Sequence, residues 1–171
     1  MTRPTEKKIA VLRLVPALAL AVGMITPSAA FAWLPYQSGA ACMPKNSTEA
    51  AKVEYDHTNG LGNKSTSNAT VYCPIVYSGS EGSTYAEVWI SDQHPTANAT
   101  CSVKGRDRKG EFAWSSGNVS TSGASATAQA MNWISLPVEE YMIAFTMSCT
   151  LPPVSNGKIS RLHNFGVDFQ D

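Results

Sequence analysis

From Tyr141 to Leu151 the chain alternates without a break. Tyr141, Ile143, Phe145, Met147, Cys149 and Leu151 hold the odd positions; Met142, Ala144, Thr146, Ser148 and Thr150 hold the even ones. A period of two sends the two sets to opposite faces of an extended chain, so this stretch is a strand with one buried face. The pattern recurs where Ala97, Ala99, Cys101 and Val103 oppose Asn98, Thr100, Ser102 and Lys104. Val71, Cys73, Ile75 and Tyr77 make a third such face, and Ala86, Val88 and Ile90 a fourth. Pro74 cannot donate to a ladder and so predicts an edge position. Weaker strands are predicted at 111–115, 131–136 and 158–169, and only Thr48 to Glu54 suggests a helical turn. Turn-forming clusters at Asn59-Gly60, Gly62-Asn63, Ser78 to Ser83, Asn118 to Ser125 and Pro152-Pro153 separate the runs. Seven or eight short strands at this spacing read as an all-β fold, an antiparallel β-sandwich of immunoglobulin-like or jelly-roll-like type. The Ser, Thr, Gly and Ala stretch from Ser115 to Ala128 reads as a mobile loop.

The first 32 residues have a different composition. Arg3, Lys7, Lys8 and Arg13 precede or open an apolar run from Leu14 to Ile25, followed by Ala30-Phe31-Ala32. That order predicts a cleaved signal peptide over 1–32, with a bacterial look and Trp33 as the new N-terminus. The run is too short to span a bilayer, which takes roughly twenty residues. Residues 33–171 are then one domain, large enough to bury a core, with no membrane span after cleavage. The expected location is outside the cell, in the periplasm or on the cell surface. Four of the 13 basic residues and one of the 13 acidic ones fall in the leader, so the remainder is slightly acidic. That balance argues against nucleic acid as a partner. Lys104, Arg106, Arg108 and Lys109 cluster, but Asp107 interrupts them and Gly105 and Gly110 flank them, as in a solvated hairpin loop.

Cys42, Cys73, Cys101 and Cys149 all follow the leader. An even count in an exported domain predicts two disulfides. No two of them have the close spacing of a metal knuckle. Gly39, three residues before Cys42, argues against a lipoprotein. Cys73, Cys101 and Cys149 lie on the apolar faces of their strands, which favours Cys42–Cys73 and Cys101–Cys149 and predicts that the second bridge ties segments through the core.

Catalytic signatures are missing. His57 follows Asp56, and His94 follows Asp92-Gln93, pairings a metal site or general base would need. Both stand where strands break, as surface turn residues do. HExxH and GxSxG do not occur, and Glu139 and Glu140 are adjacent, so a strand would send them to opposite faces. No catalytic residue, cofactor or metal ligand is predicted. Trp89 is the candidate ligand contact, because the alternation of Val88 and Ile90 puts it on the polar face with Glu87 and Ser91. Burial is the ordinary fate of so large a ring; exposure beside other aromatics would make it a sugar-stacking platform. Asn46, Asn63, Asn68, Asn98 and Asn118 satisfy N-x-Ser/Thr, and most are expected to be unmodified.

The order Gly62-Asn63, Val71-Tyr72-Cys73-Pro74-Ile75, Cys101-Ser102-Val103 and Cys149-Thr150-Leu151-Pro152-Pro153, with a last strand from Lys158-Ile159-Ser160, resembles uncharacterised small secreted proteins of myxobacteria and related bacteria. The resemblance implies a signal peptide, paired cysteines and a β-sandwich, and no activity. The chain thus reads as an exported, disulfide-stabilised, non-enzymatic binding or structural component of the cell surface or matrix, with a polysaccharide or surface protein as partner. One alternative is a carbohydrate-binding module using Trp89. A second is a metal-dependent or hydrolytic enzyme, for which His57, His94 and Asp92 would have to converge.

Overall fold

The computed structural model describes residues 36–75, 83–136 and 142–170. The leader, Trp33, most of the Ser78–Ser83 cluster, Glu139-Glu140 and Tyr141 lie outside them. The strands are β1 (Gln37–Ser38), β2 (Met43–Pro44), β3 (Val53–Asp56), β4 (Gly60–Asn63), β5 (Ala69–Ile75), β6 (Ser83–Ser91), β7 (Thr100–Asp107), β8 (Phe112–Ser115), β9 (Val119–Ser120), β10 (Gln129–Leu136), β11 (Met142–Leu151) and β12 (Arg161–Gln170). The predicted helical turn is a single short helix, α1 (Ser47–Ala50), capped by Asn46 Oδ1 accepting from Glu49 N. Its predicted end is taken over by β3.

All pairings are antiparallel, in two sheets. Sheet A runs β10-β6-β12-β4-β3, with β1 also on β12; sheet B runs β2-β5-β11-β7-β8, with β9 on β7. They form a β-sandwich. Its core takes Val88, Ile90, Met131, Trp133, Leu162 and Phe165 from sheet A and Val71, Val103, Phe145, Met147 and Leu151 from sheet B. These are the inward positions of the alternation that the sequence displays, and burying them is the main driving force for the fold. Among the described residues no helix is long and apolar enough to cross a membrane.

The bridges are Cys42–Cys73 and Cys101–Cys149, the favoured pairing. They do not cross between the sheets. Cys101 lies directly opposite Cys149 on neighbouring strands of sheet B, and Cys42 meets Cys73 at the end of the β2–β5 ladder. Both staple one sheet from its inner face, and all four cysteines are buried. Two disulfides fit an oxidising compartment. Pro74 lies just past the two residues of β5 that β2 covers, so the edge reading holds there.

The turn expected at Asn59-Gly60 is there, between β3 and β4, with Gly60 closing it at φ 83°, but Gly62-Asn63 is no turn: both residues lie in β4, a wholly buried strand. A Cβ on Gly60 would stand 2.1 Å from Leu162 O, so the residue is small because β12 runs across it. The Ser115–Ala128 stretch is mostly irregular, but it contains β9 and is tied to its neighbours by hydrogen bonds. Thr121 N donates to Ala99 O (3.0 Å), Gly123 N to Asn98 Oδ1 (3.3 Å) and Ser122 N to Gln129 Oε1 (2.8 Å). Small polar residues here serve as hydrogen-bonding partners, which low complexity conceals.

Candidate functional site

Strand β6 separates two environments. Ala86, Val88 and Ile90 are fully buried against sheet B, while Tyr85, Glu87 and Trp89 point to the outer face of sheet A. Register sets their neighbours: Ala130 and Asn164 flank Trp89, and Asn132 and Gly166 flank Glu87. Trp89 is 36% exposed, so it is a surface ring and not core.

A second ring joins it from the N-terminal segment. Because Gln37 pairs with Phe165, Tyr36 falls beside Gly166. A Cβ at Gly166 would lie 3.2 Å from Tyr36 Cδ1, so the phenol ring covers a position with no side chain of its own. Tyr36 Oη donates to Glu87 Oε2 (2.5 Å). The other carboxylate oxygen, Oε1, accepts from the Asn132 amide (3.0 Å), whose own oxygen accepts from Tyr85 Oη (2.7 Å). Glu87 is 8% exposed, an acceptor that fixes Tyr36 from beneath. The hydrogen bond to Glu87, then desolvation and the nearby negative charge, push the Tyr36 hydroxyl up to about 12; a hydrogen bond from Trp89 acts weakly the other way. Tyr36, Trp89 and Asn164 line an open depression of about 300 Å³. That is at the small end of ligand sites, which run from roughly 300 to 1,000 Å³.

The remaining candidates do not converge. Asp92, expected at a surface turn, is fully buried. Its Oδ1 accepts from His94 N (3.0 Å) and Ser160 Oγ (3.1 Å), and its Oδ2 from Ala99 N (2.9 Å) and Thr121 Oγ1 (2.5 Å). Four donors from separate segments make it a structural knot at the end of β6. His94 Nδ1 accepts from Thr96 N (3.2 Å) and Ala97 N (2.8 Å), closing a turn. His57 is exposed in the β3–β4 turn, next to Asp56, whose carboxylate accepts from Thr58 N and Asn59 N. Among the described residues no three His, Cys, Asp or Glu side chains are placed to hold a metal. The basic cluster is the β7–β8 hairpin, where Arg106 Nη1 donates to Gly110 O (2.7 Å). Asn63 is buried and gives its amide to Ser67 O, Leu151 O and Pro152 O, so it is a cross-link of the core and not a surface acceptor.

Sequence reasoning found Trp89 and missed Tyr36 and Asn164. Tyr36 precedes a two-residue strand that leaves no periodic signal, and Asn164 sits where the alternation of β12 breaks.

No protein-family model and no curated protein matches the sequence. Among solved structures the chain is similar to one of Clostridium thermocellum endo-1,4-β-D-xylanase 10B, CBM22-1-GH10 modules, complexed with xylohexaose. That match has a TM-score of 0.52 at 9% identity and covers 79% of this chain and 27% of that one. It is also similar to the enzymatically active domain of bacteriophage CBA120 tailspike protein 4, with a TM-score of 0.50 at 11% identity, covering 79% of this chain and 19% of that one. The xylan-binding module CBM15 aligns at a TM-score of 0.47 and 7% identity over 76% of this chain and 90% of its own. The first two share the fold of this chain, which spans well under half of their length.

Proposed function

We propose that the outer face of sheet A binds a carbohydrate, without cleaving it, in an exported protein. The observation that carries this reading is the exposed Trp89 beside Tyr36 across Asn164, with Tyr36 locked by Glu87. Flat apolar rings complement the C–H faces of pyranoses, and their polar edges keep them wettable while unliganded. Asn164, which lines the same depression, brings an amide with two donors and an acceptor, suited to sugar hydroxyls. Among the described side chains Glu87 is the carboxylate that contacts these rings, and both of its oxygens are already engaged. Glycoside hydrolysis ordinarily uses two carboxylates that face the scissile bond. These features support the sugar-binding alternative over a generic surface or matrix component. A fold of this kind also occurs in a xylanase structure that holds xylohexaose.

The test is retention of residues 33–171 on insoluble xylan, galactan, cellulose and chitin, with tryptophan fluorescence titration by soluble oligosaccharides of whichever glycan is retained. Retention that Trp89→Ala abolishes is the expected result. Retention on none of these glycans, or retention untouched by that change, would overturn the proposal.

A further inference from the structure

The ladder between β6 and β12 slips by one residue: Leu162 pairs with Ile90, but Trp89 pairs with Asn164, leaving His163 as an extra residue. Leu162 and Phe165 on either side are fully buried, so His163 and Asn164 both turn outward in succession. Such a bulge re-aims side chains, here by two residues at once. Without it, strict alternation from Leu162 would send Asn164 into the core and Phe165 into solvent.

The sequence accommodates this irregularity from two sides. A Cβ at Gly39 would stand 1.9 Å from Leu162 O, and one at Gly60 2.1 Å from the same atom and 3.1 Å from His163 Cα. Two glycines on different elements thus vacate the volume into which the Leu162–His163 peptide swings. The third support is the His163 ring, whose Nε2 is hydrogen-bonded to Ser91 Oγ at 2.9 Å on the neighbouring strand. Asn164 itself is exposed, and among the described residues none holds its amide.

We propose that this bulge builds the sugar site, making Asn164 the side chain that reads the hydroxyls of an uncharged sugar and His163 a positioning residue that holds Asn164 between the two rings. The inference rests on the sugar-binding reading above. Deleting His163 would restore strict alternation, with Leu162 and Phe165 still inward and Asn164 still outward, so it would not separate the bulge from Asn164, and point variants are the test. On the retained glycan, Asn164→Ala is expected to weaken binding on the order of tenfold, the loss of one to two net hydrogen bonds. His163→Ala is expected to weaken it roughly threefold, and His163→Gln to restore it, since the longer amide still reaches Ser91. Because His163 acts through Asn164, the Asn164→Ala penalty should shrink in a His163→Ala background.

Trp89-dependent binding with Asn164→Ala indistinguishable from wild type would overturn this inference and leave the sugar reading standing. Full additivity of the two changes would overturn the positioning role. No binding by the wild-type protein would overturn both readings.

Discussion

The two sheets of this sandwich are built from similar strands and put to different uses. Sheet B is regular where it matters for the core: β5 and β11 pair without a break from Ile75–Phe145 to Ala69–Leu151. It carries both disulfides on its inner face, and its outer face shows rows of small hydroxyls such as Thr70, Thr150 and Thr100. Sheet A has no bridge. Its central pair is bulged, and its outer face holds two rings and a buried carboxylate in one hydrogen-bonded array. Both covalent staples lie in the regular sheet, while the other departs from ideal geometry beside the proposed sugar site.

The largest expected effect breaks that division at the bridges. Replacing Cys101 and Cys149 by Ser should cost about 4 kcal/mol in denaturant unfolding, with glycan affinity unchanged wherever the protein stays folded. Replacing Cys42 and Cys73 should cost about as much and also weaken glycan binding, because that bridge anchors the segment bearing Tyr36. Two bridges of equal effect on affinity would refute the division. Next comes Trp89→Ala: affinity should fall tenfold to a hundredfold, roughly the value of burying one large side chain, with the melting temperature within about 2 °C of wild type.

A smaller effect is expected in alkali. The Tyr36 hydroxyl is raised in the folded protein to about 12, so its contribution is full below pH 10 and fades as pH rises through about 12. Melts across that range should show a loss that Glu87→Gln diminishes; equal losses in both proteins would remove Glu87 as the cause. In acid the sign reverses at His163. Desolvation, then Arg161, lowers its affinity for a proton, so stability should fall as pH drops below 6.5. Arg161, itself paired with Glu54, and Ser91 are the polar groups around that ring. The smallest effect is reserved for the outer face of sheet B, where Ser148→Ala should change stability by less than about 0.5 kcal/mol and binding not at all.

Alternation made the long strands legible. Cys101, Cys149 and Trp89 could be assigned to faces because Val88, Ile90, Val103 and Met147 keep strict period two around them. Other features depend on neighbours far along the chain. Gly62 looks like a turn residue until Arg161 of β12 is laid across it. Asp92 looks like a surface turn residue until Ala99, Thr121 and Ser160 arrive to bury it. Asn164 is out of phase with Leu162 by design of the bulge, so the rule that located Trp89 misassigns its partner. Tyr36 precedes a strand of only two residues and is recruited by Glu87, 51 positions away.

The order of the bridges along the chain has a consequence for biogenesis. Cys42 pairs with the next cysteine, Cys73, and Cys101 with the next, Cys149, so the two loops follow one another without overlap. A chain fed N-terminus first into an oxidising compartment presents each cysteine with its native partner before any competitor has emerged. Refolding from the full-length reduced chain offers three pairings at once; threading offers one, and an oxidant alone then suffices where a shuffling enzyme would otherwise be needed.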